Sequence, residues 1–156
     1  MIIVFNNNLK ICRQELEMTQ AELGFIFGVS DSAIRSWENA HSSIPLNKLI
    51  KFCNMYDFSL DFVCGITDRN NKYGKFNTDK NIIGKRLKVL RKKLGLSQQA
   101  LCDECKISQT TYSGYERGEY LINTTNLYYI CKTYNVSLDY LVGRTDKSNS
   151  KVKEYI

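Results

Sequence analysis

A chain of 156 residues with 43% apolar side chains, a single proline and a formal charge of +6 can hold one average domain or two small ones, and no run in it approaches the roughly twenty apolar residues of a membrane span. The opening MIIVF lacks a basic start and a cleavage site, so a secretory signal is not expected and the cytoplasm is the expected location. With one histidine (His41), no Gly-rich phosphate loop and no repeated nucleophile–base pair, neither an enzyme nor a cofactor is expected.

In chain order, a first helix is expected to start within Asn6-Asn7-Asn8 and run to about Glu17, with Leu9, Cys12, Arg13 and Leu16 on one face. Thr19 can cap a second helix reaching Phe27, with Gly24 where two backbones cross and Gly28 suited to a left-handed end. Ser30 opens a third helix to about Asn39. After AHSSI, Pro45 opens a fourth at a position where its missing N–H costs nothing, and Leu46, Leu49, Ile50, Cys53 and Tyr56 form the buried stripe. Ser59 caps a short fifth helix that carries Leu60 and Phe62-Val63 and stops at Gly65. Residues 69–81, RNNKYGKFNTDKN, are polar and read as a linker.

The five helices then recur. Residues 5–68 align with 83–146 at a constant offset of seventy-eight and without a gap, matching at about eighteen of sixty-four positions, so the expected domains are 1–68 and 82–146. In the second copy Ile82 to about Leu94 is the first helix. Ser97 caps a helix with Leu101 and Cys105 four apart, and Ser108 caps another with Tyr112 and Tyr115 three apart. The turn between them falls at Lys106-Ile107, with small Cys102 facing it, which is the helix-turn-helix pattern; these residues alone also fit any αα-hairpin. Residues 147–156 hold no clear apolar period and are expected to fray.

Six cysteines raise the questions of disulfides, metal and redox chemistry. Cys53 and Cys131 are equivalent by the repeat, Cys12 matches Leu90 and Cys64 matches Val142, which is how small core side chains behave. Cys102 and Cys105 have the spacing of half a zinc site, but no second pair or histidine lies near them in sequence, so no metal is expected.

Charge separates the copies. Residues 1–68 carry five basic and eight acidic side chains, a net of −3, whereas residues 82–146 carry ten and six, a net of +4. Much of the second set is the run Lys85, Arg86, Lys88, Arg91, Lys92 and Lys93. A duplex is a polyanion bound largely by Lys and Arg, so the second copy is expected to be the better DNA binder of the two.

Across both copies the residues run as Arg13, MTQAEL, Ser30 and Trp37-Glu38, then Arg91, LSQQAL, Ser108 and Tyr115-Glu116. This resembles the helix-turn-helix domains of the Cro and phage-repressor (XRE) type, over nearly the whole chain. The resemblance implies an all-α protein of two tandem five-helix lambda-repressor-like domains, acting as a sequence-specific transcriptional regulator, a repressor, on double-stranded DNA. It also implies structural ion pairs Arg13–Glu38 and Arg91–Glu116, and phosphate contacts by Gln20 and Gln98. The side chains implied to face the major groove are Gln109, Thr110, Ser113, Gly114 and Arg117 in the second copy, and Asp31, Ser32, Arg35, Ser36 and Asn39 in the first. Gln can pair with adenine and a Thr methyl can touch thymine, whereas Asp31 is at odds with a phosphate-lined groove. An alternative therefore stays open: the acidic first domain serves a homodimer or binds a protein partner, as in an antitoxin.

Overall fold

The computed structural model describes residues 5–148, and every regular element among them is helical. The described residues divide between 75 and 76 into two compact units.

Unit 1 contains α1 (Leu9–Glu15), α2 (Gln20–Phe27), α3 (Asp31–Glu38), α4 (Leu46–Tyr56) and α5 (Leu60–Val63). The asparagine run anchors its start. Asn7 Nδ2 donates to Trp37 O at 2.9 Å and Asn8 Nδ2 to Phe62 O at 2.8 Å, so α1 begins where two distant helices end. α1 stops two residues earlier than its apolar period suggests, because Glu17 takes a left-handed φ of 55°. Thr19 and Glu22 form a reciprocal capping box on α2. At the α2–α3 crossing a Cβ on Gly24 would lie 2.7 Å from Val29 O, so no side chain fits there. Pro45 stands just outside α4 as its N-cap. The core is an aromatic stack in which Trp37 meets Phe27 edge-on at 5.3 Å, and Phe27, Phe52, Phe58 and Phe62 follow face to face.

Unit 2 repeats the order as α6 (Lys80–Lys93), α7 (Gln98–Cys105), α8 (Gln109–Glu116), α9 (Thr124–Tyr134) and α10 (Leu138–Leu141). Its core is mainly aliphatic, with Ile130 and Val136 where unit 1 has Phe52 and Phe58. α6 begins at Lys80 and not at Ile82, because Asp79 accepts from Asn81 N at 2.8 Å and adds a first turn.

The 69–81 linker is accordingly shorter than its polar composition suggests. Asn70 belongs to unit 1: its Oδ1 accepts from Ser59 N at 2.7 Å and its Nδ2 donates to Asp57 O at 3.2 Å. Phe76 belongs to unit 2, where Arg144 lies over its ring at 5.5 Å. At the other end Ser148 O accepts from Ser137 N at 2.7 Å, so residues 147 and 148 are part of unit 2; the rest of the expected tail, 149–156, lies outside the described residues.

Two charged groups fasten the end of unit 2. Arg144 and Asp139 pair at 3.3 Å with both side chains fully buried. Arg86 Nη1 donates to the carbonyls of Tyr140 and Thr145, and its Nη2 reaches Asp146 Oδ1 at 2.9 Å.

All six cysteines are free thiols and buried. Burial, helped by Glu15, pushes Cys12 up to about 12; burial, helped by Cys105, pushes Cys102 up to about 11. Such thiols remain protonated and unreactive at neutral pH. Among the described residues no group of three or more His, Cys, Asp or Glu side chains could hold a metal ion.

Candidate nucleic-acid interface

The site is built twice from the same local chemistry. In unit 2 Ser97 accepts from Ala100 N at 3.0 Å and starts α7, and Ser108 accepts from Thr111 N at 3.1 Å and starts α8. Between them Lys106 takes a left-handed φ of 60° and Ile107 is buried, so the two helices turn sharply against each other. Tyr112 and Tyr115 fill the core side of α8, and Gln109, Thr110 and Arg117 are left exposed.

A four-part node fixes α8 against α6 and α7. Arg91 Nε and Nη2 donate to the two oxygens of Glu116 at 2.6 and 3.0 Å, and Nη1 donates to Leu96 O at 2.9 Å. Gln98 Nε2 reaches the same carboxylate at 3.1 Å. Unit 1 repeats this almost atom for atom: Arg13 to Glu38 at 2.6 and 3.2 Å, Arg13 to Met18 O at 2.9 Å, and Gln20 to Glu38 at 3.1 Å. The carboxylate side chains are only 4% and 2% exposed, so each fork holds a desolvated charge pair. Burial by itself would raise Glu116, but the bonds from Arg91, the adjacent Tyr112 hydroxyl (which lies outside strict hydrogen-bond geometry) and the bond from Gln98 outweigh it and hold its carboxyl below the usual range.

The glutamines that open α2 and α7 therefore have a structural part that their sequence position does not disclose. In unit 2 the arrangement extends one step further, because Gln98 Oε1 accepts from Gln109 Nε2 at 2.8 Å. The fork thus aims the first exposed side chain of α8. In unit 1 that place is taken by Asp31, whose neighbour one turn on is Arg35 at 3.9 Å. Ser32 on the same helix and Asn39 at its C-cap are exposed.

Gly114 is not exposed on α8. It is buried, and a Cβ built on it would lie 2.2 Å from the Tyr120 ring, which covers it. The equivalent pair in unit 1 is Ser36 and Ser42, joined by a 2.7 Å hydrogen bond between their hydroxyls. Half-exposed Tyr120 is thus presented where a helix side chain was expected; the sequence signal was a glycine six residues before a tyrosine at the position of a serine pair. Arg117 donates to Ser113 Oγ and pairs with Glu119 at 2.8 Å at the surface.

The basic run on α6 is also thinned. Arg86 and Arg91 are committed to Asp146 and Glu116, whereas Lys85, Lys88, Lys92 and Lys93 are exposed. Residues 85, 88 and 92 recur at helical spacing, opposite buried Ile83, Leu87 and Leu90, so they form one cationic stripe.

Tyr112 stands out within the node. It is fully buried close to Glu116, yet its hydroxyl meets no partner in hydrogen-bond geometry, and unit 1 has Ile34 at this place. Tyr112→Phe is therefore expected to leave unit 2 as stable as before, or more stable by up to about 1 kcal/mol, in urea unfolding. A loss above about 2 kcal/mol would mean that the hydroxyl is bonded in solution.

A helix-turn-helix family model matches residues 9–63 and again 87–141. The HTH-type transcriptional regulator ImmR of Bacillus subtilis is 38% identical over 66 residues, covering 42% of this chain and 52% of that protein. The phage CTXphi transcriptional repressor RstR of Vibrio cholerae is 40% identical over 62 residues, covering 40% and 55%. The uncharacterized HTH-type regulator YobD of Bacillus subtilis is 34% identical over 68 residues, covering 44% and 61%, so the chain spans little more than half the length of these relatives. The crystal structure of the restriction-modification controller protein C.AhdI from Aeromonas hydrophila, 26% identical, aligns with a TM-score of 0.38 over 40% of this chain and 94% of that one. No described helix is long and apolar enough to cross a membrane.

Proposed function

Because this chain belongs to the helix-turn-helix family of the Cro and phage-repressor type, with the domain present twice, we propose that it is a sequence-specific DNA-binding transcriptional regulator acting as a repressor. The observation that carries this reading is the node Arg91–Glu116–Gln98–Gln109, which holds an exposed glutamine at the start of a capped, groove-sized helix. In this reading Gln109 and Thr110 read base edges and Ser113 and Arg117 lie beside them. Gln98 and the α7 N-terminus hold a phosphate, and Tyr120 replaces Gly114 at the far end. The lysine stripe of α6 supplies field and counterion release, and the site of action is the cytoplasm, beside the chromosome.

Unit 1 is assigned a different part. Asp31 occupies the position of Gln109, and Gln20, Ser32, Arg35, Ser36 and Asn39 make at most an auxiliary DNA contact, so unit 1 serves chiefly as an interaction module.

The test is a selection of bound fragments from random duplex DNA by the full chain, expected to enrich one sequence; recovery of unenriched DNA would overturn the reading. On the enriched duplex Gln109→Ala should weaken binding by about 1–3 kcal/mol and leave binding to random DNA nearly unchanged. Gln98→Ala, which removes a phosphate contact and also frees Gln109, should weaken binding to both duplexes and to the enriched one more; equal losses on both duplexes for Gln109→Ala would remove it from base reading.

A further inference from the structure

Phe25 is 86% exposed in the middle of α2, a larger exposure than that of any other large apolar side chain among the described residues. It is not isolated. Next to it, α2 and α4 enclose a groove of about 190 Å³ lined by Ile26, Phe27, Lys48, Lys51, Phe52 and Met55, and Met55 is itself 47% exposed. A single exposed aromatic needs no explanation, whereas one on the helix that walls an open groove, with Phe27, Phe52 and Met55 in its lining and Asn47, Lys48 and Lys51 beside them, marks a contact surface.

The duplication supplies an internal control. At the positions of Phe25, Ile26 and Met55, unit 2 carries Asp103, Glu104 and Thr133 on the same fold. There Tyr134 donates to Glu104 Oε2 at 2.8 Å, a polar contact on the corresponding face. The helix-turn-helix architecture therefore does not require apolar residues at this place, and their presence in unit 1 alone calls for an occupant.

Size and charge select that occupant. By volume the groove has room for one aromatic side chain, since even a closed cavity of roughly 150 Å³ accepts a benzene ring, and the chain presents such a ring on the helix that forms the groove wall. On the α2 face, exposed Glu22 lies one turn before Phe25; on α4, exposed Lys51 lies one turn before Met55. A patch that carries ring, groove, acid and base together is self-complementary, as a two-fold contact requires. We propose that this face of unit 1 is a self-association surface: Phe25 of one copy of the chain fills the α2–α4 groove of a second copy, and Glu22 of each meets Lys51 of the other. The inference rests on unit 1 being an interaction module and is independent of DNA binding by unit 2.

Sedimentation equilibrium of the full chain, without DNA, tests it. The wild type should form a species of twice the 18.0 kDa chain mass at micromolar concentration. Phe25→Asp, which installs the side chain that unit 2 already carries as Asp103, should raise the dissociation constant about a hundredfold, since each dimer makes the contact twice. Met55→Thr should raise it about tenfold, and added salt should weaken the wild-type dimer. Circular dichroism must show both variants folded, as expected for changes at exposed positions. A wild type that stays monomeric to sub-millimolar concentration would overturn the proposal, even if it captured a different protein through this face. A Phe25→Asp variant as dimeric as the wild type would overturn it equally. Loss of DNA selection with an intact, Phe25-dependent dimer would overturn only the DNA reading.

Discussion

Glu116→Ala is expected to destabilise unit 2 by about 3–5 kcal/mol, the range for removing one partner of a buried pair. The carboxylate accepts from Arg91 through both oxygens and from Gln98, and the Arg91 side chain is 13% exposed, so the alanine strands a guanidinium that water barely reaches. For a unit of this size each kcal/mol moves the midpoint by about 4–8 °C, so the thermal transition of unit 2 should drop by well over 10 °C. Glu38→Ala should do the same to unit 1, where Glu38 is 2% exposed. A shift of less than a few degrees would show that the forks are ordinary surface pairs.

The same carboxylate makes a pH prediction. Its pKa in the folded chain lies below the ordinary 4.5, so its contribution is fully present above that value and is lost as pH falls through the lowered folded value. Unfolding of the wild type should therefore become easier below about pH 4.5. Glu116→Gln, weaker at neutral pH, should show a flatter acid limb.

A second large effect is expected when the units are separated. Fragments 1–75 and 76–156, titrated against the enriched duplex, should differ in affinity by upwards of about a thousandfold in favour of the second, the least gap between specific and non-specific binding. The cut sites follow the anchors: Asn70 must stay with unit 1, and Phe76 with the Arg144 that lies over it. The salt dependence should also follow unit 2, since log affinity falls by about 0.9 per decade of salt for each phosphate neutralised. Arg86 and Arg91 are tied up, so the slope should reflect the exposed lysines of α6 and not the full basic run. Equal affinities and slopes would remove the electrostatic assignment, and tighter binding by fragment 1–75 would reverse it.

Most of the architecture is written in local chemistry. Thr19, Ser30, Ser59, Ser97, Ser108 and Ser137 each accept from a backbone N–H three residues on, a contact that requires only its own turn of chain. The seventy-eight-residue offset and the buried stripes are legible for a related reason: each is a spacing that occurs twice, whereas the pairing of Arg13 with Glu38 and of Arg91 with Glu116 is implied only by the family resemblance. Element ends are less legible, since Asp79 starts α6 two residues early and Glu17 ends α1 two residues early.

The all-helical, duplicated helix-turn-helix fold is thus determined by the sequence itself, through caps and periodicities that act within a few residues. The tertiary structure decides how the polar and aromatic side chains are used. Gln98 meets a carboxylate eighteen positions away and Arg86 a carbonyl fifty-nine away, which fixes the direction of both half-exposed side chains. Tyr120 covers Gly114, and Phe25, in a helix whose neighbours Leu23, Gly24 and Phe27 are buried, is left in solvent. Pairings at such separations depend on how helices cross, and crossing is set by shape complementarity over whole faces and not by any residue's own neighbours.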